Sequence, residues 1–184
     1  MATMEELRSA WQACGNCERG KTRTNLVFGV GNEHAKLMFV GEGPGEQEDL
    51  QGVPFVGRAG KLLDDMLAMF ELKREDVYIA NIVKCRPPKN RDPLPDEQDA
   101  CYPWLEQQLA LIQPKLVVCL GRIAAMRLID PHYRITQQHG QWFSRDGMEI
   151  TAIYHPAALL RDPRRRPEAF DDMKEIAARL KALD

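Results

Sequence analysis

Four short apolar runs limit most strongly how this chain can fold: KLMFV at 36–40, VYIAN at 77–81, KLVVCL at 115–120 and ITAIY at 150–154. Each is apolar at successive positions, so a strand formed from it would bury both faces, as in a sheet covered by helices on either side. Helical periodicity fills the intervals, in AGKLLDDMLAMF at 59–70, DEQDACYPWLEQQLALI at 96–112 and RIAAMRLI at 122–129, and again in EAFDDMKEIAARLKAL at 168–183. This alternation predicts an α/β fold, a three-layer α/β/α sandwich with a central, mostly parallel four-stranded sheet. At 184 residues the chain fits a single domain, 1–184, long enough to bury a sizeable core.

Ligands of open parallel sheets sit outside the carboxyl ends of the strands. The first run leads into GEGPGEQED at 41–49, the second ends on Asn81 and the fourth runs into His155, so three polar features are expected on one rim. A glycine-rich loop after a strand usually cradles phosphate, but Glu42, Glu46, Glu48 and Asp49 would repel one. GEGPGE also lacks the last glycine of G-x-G-x-x-G, which argues against a dinucleotide site. Glu46 and Asp49 are expected at the surface or near a helix N-terminus.

A net charge of -2 leaves no global basic field, so contact with nucleic acid would rely on local patches,. RDPRRR at 161–166, joined by Lys84, Arg86, Lys89 and Arg91, is the candidate patch. The start, MATMEELRSAW, lacks the features of a secretory signal, and no apolar run approaches the ~20 residues of a membrane span,. A cytoplasmic monomer without membrane association is therefore expected.

In a reducing compartment the five cysteines call for metal binding, catalysis or burial in place of disulfides,. CGNC sets Cys14 and Cys17 at a chelating C-x2-C spacing, and Cys85 and Cys101 bracket the proline-rich loop that follows the second run. Together they fit a four-thiolate site for an iron–sulfur cluster or zinc, which spacing does not separate, with four buried small residues as the other reading. RPPKNRDPLP has no ladder or helix of its own, so a metal staple would offset its ordering entropy. Cys119, inside LVVCLG, is expected in the core.

GEGPGEQED, GVPFVGRAG, YIANIVKCRPPKNRDPLPDE with its following Cys101, and YHPAALLR together resemble the family 4 uracil-DNA glycosylases, the iron–sulfur branch of the uracil-DNA glycosylase superfamily. The likeness runs from Cys14 to about Arg161. It implies removal of uracil from single- or double-stranded uracil-containing DNA after base flipping. It also implies a [4Fe–4S] cluster on Cys14, Cys17, Cys85 and Cys101, with zinc the alternative. Gly41 and Gly43 would let the backbone approach the base, and Glu42 would face the sugar as positive charge develops there. Other superfamily branches carry aspartate or asparagine where Gly43 stands, so Glu42 or Glu48 is expected to activate water. Phe55 would stack on the flipped ring and Asn81 would read the N3–H and O4 edge. His155 would donate to uracil O2, while Leu159 or Leu160 wedges into the duplex and Arg161 meets phosphate. A non-catalytic or covalent uracil-DNA-binding iron–sulfur protein is the alternative reading. Covalent relatives carry an extra basic, histidine-containing loop that RITQQHGQWF lacks, His139 aside.

Overall fold

The computed structural model describes residues 3–15, 17 and 19–184. Its strands are β1 (Val30–Gly31), β2 (Leu37–Gly41), β3 (Tyr78–Asn81), β4 (Leu116–Leu120), β5 (Phe143–Arg145) and β6 (Met148–Ile153). Its helices are α1 (Met4–Gln12), α2 (Arg19–Thr22), α3 (Glu46–Gln51), α4 (Arg58–Ala68), α5 (Pro95–Ile112), α6 (Arg122–Leu128), α7 (Ile135–Gln138), α8 (Pro156–Arg161) and α9 (Arg166–Ala182).

The sheet runs β1-β3-β2-β4-β6-β5. Its four central strands, β3, β2, β4 and β6, are parallel and correspond to the four apolar runs. Short antiparallel strands β1 and β5 add an edge on each side. Neither edge has an apolar run of its own, since β5 is half to fully exposed, so patterning gave no sign of them.

Period-two alternation divides the parallel strands between two cores. Met38, Val40, Tyr78, Ala80, Val117 and Cys119 pack with α1, α5 and α6 on one face. Leu37, Phe39, Ile79, Val118 and Leu120 pack with α4, α8 and α9 on the other. The result is the expected three-layer sandwich. Helix α1 starts in a reciprocal cap, Glu6 N–H to Thr3 Oγ1 at 3.1 Å and Thr3 N–H to Glu6 Oε2 at 2.8 Å,. It buries Met4, Leu7 and Trp11 along one face, and the Trp11 indole stacks on Trp104 of α5 at 5.0 Å. That packing brings the C-terminal end of α1, and with it Cys14, to the helix that carries Cys101.

The chain leaves β2 toward β3 on one side of the sheet and leaves β4 toward β6 on the other. The carboxyl ends of the four parallel strands therefore share one rim at a point where the winding reverses, where α/β sheets bind their ligands.

Candidate active site

At this rim the strand ends are tied together by their backbones. Ile82 N–H donates to Gly41 O at 2.9 Å and Val83 N–H to Glu42 O at 3.1 Å, zipping the end of β3 to the glycine loop. A Cβ on Gly41 would lie 2.5 Å from Asn81 Oδ1 and 2.6 Å from the Phe55 ring, so only glycine admits both side chains here,. A Cβ on Gly43 would meet Val83 at 2.7 Å. The two glycines expected in the site are thus explained by close packing of site side chains against bare backbone.

Gly43, Glu48, Phe55, Asn81 and His155 line one pocket of about 220 Å³. Asn81 is buried at the end of β3, and its Oδ1 has no donor. Leaving such an acceptor unpaired costs about 1–3 kcal/mol, a cost that a ligand N–H would remove. The Phe55 ring stands 5.4 Å from the His155 ring with 31° between their planes. Phe55 holds a left-handed backbone, φ +53, which costs a non-glycine residue on the order of 1–3 kcal/mol.

His155 follows β6 and caps α8, its Nδ1 accepting the Ala157 N–H at 3.0 Å. The acceptor role of Nδ1 places the proton of the neutral ring on Nε2, leaving an N–H donor for the pocket. Burial, with the Arg161 charge nearby, pushes His155 down to about 4, so the ring is neutral at physiological pH. Gly121, at φ +91, sits beneath this residue, and a Cβ there would come within 3.0 Å of His155 Cβ.

The two acids expected to activate water are used differently. Glu48 Oε1 accepts the Gly45 N–H at 3.0 Å, and Oε2 accepts those of Val56 at 3.2 Å and Gly57 at 2.9 Å. Both oxygens accept backbone N–H groups and pin the glycine loop against the Phe55 loop, a holding role beside the water activation that the resemblance implies for Glu48. Glu42 is half-buried and does not line the pocket with Asn81. Burial and then Asp92, through its charge and a shared hydrogen bond, push Glu42 up to about 7 against the pull of Arg122 and Arg161. Asp92 is itself paired with Arg122. Asp49 lies in the first turn of α3 as expected but is buried, accepting the Thr24 N–H at 2.9 Å and the Asn25 N–H at 3.1 Å.

Other expectations need correction. Leu159 is 1% exposed and belongs to the core under α8, so it cannot wedge into DNA from this position. Leu160 is half-buried and Arg161 exposed. Lys84 turns inward and is fully buried, donating to Asn81 O at 2.7 Å and Gln108 Oε1 at 2.9 Å beneath the Trp11 ring. Arg91 is held by Glu97 through two bonds of 2.7 and 3.0 Å. The expected loop patch is thereby reduced to Arg86 and Lys89. His139 is bound to Asp172 at 2.6 Å. Asn90 lines the pocket although the sequence reading gave it no role. It follows Lys89 in a left-handed turn, φ 52 and 57, and Asn's tolerance of that conformation was the available signal.

Cys14, Cys17, Cys85 and Cys101 line a single cavity between α1, the proline-rich loop and α5, with Arg23 at its wall. None of the four is in a disulfide. Arg23 Nη1 donates to Cys85 Sγ at 3.1 Å and the Lys84 N–H to Cys101 Sγ at 3.2 Å. Burial pushes both thiols up, Cys101 to about 12, with Arg23 opposing at Cys85 and Lys84 at Cys101. Donors aimed at buried sulfurs fit thiolate ligands. Among the described residues no three His, Cys, Asp or Glu side chains converge as on one bare ion. Cys119 is buried in β4, as expected.

Residues 28–181 match the Uracil DNA glycosylase superfamily. A type-4 uracil-DNA glycosylase of Archaeoglobus fulgidus is 47% identical over 184 aligned positions, covering 96% of this chain and 92% of that protein. Its counterpart in Thermotoga maritima is 44% identical, covering 86% of this chain and 84% of its own. A type-5 uracil-DNA glycosylase of Pyrobaculum aerophilum is 32% identical, over 70% and 64% of the two chains. With the rim, the buried Asn81 acceptor and the four-cysteine cavity in place, these likenesses show that the chain belongs to the uracil-DNA glycosylase superfamily and groups with its type-4 members.

Proposed function

We propose a division of labour for the reaction that defines this family, excision of uracil from DNA by hydrolysis of its N-glycosidic bond. The protein is a DNA-repair hydrolase of N-glycosyl bonds. The flipped base enters the pocket beside Phe55, whose ring offers a stacking plane. Asn81 Oδ1 accepts the uracil N3–H and Nδ2 donates to O4. Cytosine, with an unprotonated N3 and an amino group at position 4, mismatches both contacts.

As the glycosidic bond stretches, negative charge grows on uracil O2 and positive charge on the sugar. His155 Nε2–H donates to the first. Glu42 serves the second and takes the proton of the attacking water, a role suited to a carboxylate poised near neutral pH,. Glu48 holds the loops that carry Gly43 and Phe55. Leu160 and Arg161, on the surface of α8, meet the duplex and its phosphates,.

Cys14, Cys17, Cys85 and Cys101 hold a [4Fe–4S] cluster. The cluster supplies a covalent staple for the loop between Cys85 and Cys101, which carries Asn90 and Asp92 to the site. The cavity they share and the N–H donors to two of the sulfurs support this assignment.

The observation that carries the functional reading is the buried, donorless Oδ1 of Asn81 in a pocket shared with Phe55 and His155. Incubation with a uracil-containing oligonucleotide, followed by alkaline cleavage at abasic sites, tests it. Strand scission at the uracil position is expected, and retention of intact uracil DNA by the iron-loaded protein would refute it.

A further inference from the structure

The segment Pro54–Gly57 presents Phe55 to the pocket and is gripped from two sides by side chains of opposite charge. Glu48 takes the amides of Val56 and Gly57. Arg74, in the 3-10 turn Arg74–Asp76 just before β3, takes the carbonyls. It donates to Pro54 O at 3.0 Å, to Phe55 O and, more weakly, to Gly60 O at 3.4 Å. Its Nε is paired with Asp64 of α4, which orients the guanidinium plane.

A guanidinium carries five donors in a rigid fork, so one side chain can fix several acceptors in a single arrangement, which a point-charge ammonium cannot. The carbonyls fixed here flank the Phe55 backbone, which is in a left-handed conformation a phenylalanine rarely adopts,. Such a conformation persists only where its surroundings over-determine it. Gly60 completes the arrangement, because a Cβ there would collide with Phe55 O. The side chain that fixes these carbonyls thus also fixes where the ring stands relative to His155.

We propose that Arg74 is a positioning residue for base recognition, holding the Phe55 backbone in the left-handed state that lays its ring against the flipped uracil. The inference rests on the stacking role given to Phe55 above. Stacking contributes to ground and transition states alike, so the defect belongs in binding more than in the chemical step.

The test compares the iron-loaded parent, Arg74→Gln, Arg74→Lys, Asp64→Ala, Phe55→Ala and the Phe55→Ala/Arg74→Gln pair. Three quantities are read: the Kd for free uracil by calorimetry, KM on a single-stranded uracil oligonucleotide, and the single-turnover rate at saturating enzyme. Arg74→Gln is expected to weaken uracil binding and raise KM about tenfold, the scale of one stacked base, with single-turnover cleavage within about threefold of the parent. Arg74→Lys should not restore binding, and Arg74→Gln should add little once Phe55 is alanine. Asp64→Ala should shift uracil binding in the same direction by less, and it decides the matter if Arg74→Gln does not fold. Parental uracil affinity in Arg74→Gln, or in Asp64→Ala if it alone folds, overturns the proposal, as does full rescue by lysine. If Phe55→Ala binds uracil like the parent, the stacking role falls and this proposal falls with it. Calorimetry reads uracil affinity without turnover, so an inactive parent, which bears on the family activity, stays distinguishable from a failure of Arg74.

Discussion

Asn81, Glu42 and His155 differ in how much of each was legible in the sequence, and the difference follows from what each touches. Asn81 ends one apolar run and His155 follows another, and a polar residue at the carboxyl end of a parallel strand is marked as a site candidate by position alone. Replacing Asn81 by aspartate removes the donor to O4 and offers an acceptor for the amino group of cytosine. Uracil excision should fall at least tenfold and weak cytosine excision should appear, measured on paired oligonucleotides that differ at one base. The environment of Glu42 was not legible, because Asp92 and Arg122 reach it from distant segments. With Glu42 raised to about 7 and required ionised, single-turnover cleavage should climb with pH and level off above that value,. Asp92→Asn removes one of the causes that raise it, so the inflection should move to lower pH. An unmoved inflection would detach the profile from Glu42.

Short elements misled the sequence reading where long ones did not. Helices such as α4 and α5 expose their period over enough residues to fix which face is buried, whereas α8 spans only Pro156–Arg161 and leaves Leu159 and Leu160 indistinguishable by pattern,. Packing separates them, with Leu159 in the core and Leu160 only half-buried. Leu159→Ala should therefore destabilise the fold by about 2–5 kcal/mol, seen as a lowered denaturation midpoint. Leu160→Ala should leave that midpoint in place and slow cleavage of duplex but not single-stranded substrate, because only the duplex must be opened. Glu48 was ambiguous for a related reason. Its spacing from the glycine loop is the same for a catalytic acid and for a carboxylate that accepts Gly45, Val56 and Gly57 amides, and only the fold brings the second loop within reach.

At the scale of the whole molecule, the core under α4, α8 and α9 holds no cysteine, whereas the core on the α1 and α5 face includes Cys101 and has Cys14 packed against it, and the four-cysteine cavity joins α1, the proline-rich loop and α5. Spacing pointed to the proposed ligand set because a C-x2-C pair is local, but it could not reveal that α1 packs on α5 and so brings Cys14 to the helix of Cys101. The purified protein should be brown, with about four irons per chain. Cys85→Ser or Cys101→Ser should abolish the colour, and Cys119→Ser, buried in β4, should keep it. Colourless protein with stoichiometric zinc would sink the cluster assignment. The consequence of losing the metal follows from where the loop goes. Residues 86–94 run from the Cys85 side of the cavity past Asn90, in the base pocket, and Asp92, beside Glu42. Without the cluster this loop loses its staple, whereas the strand ends that carry Asn81 and His155 remain held by the sheet. Hydrogen exchange on Cys85→Ser should therefore rise in the loop and at the end of α1 and stay near parental in β2, β3, β4 and β6. Free uracil should still bind, while cleavage falls with the loss of Asn90 and Asp92 from the site. Uniform loss of protection across the sheet would instead make the metal part of the core's own stability.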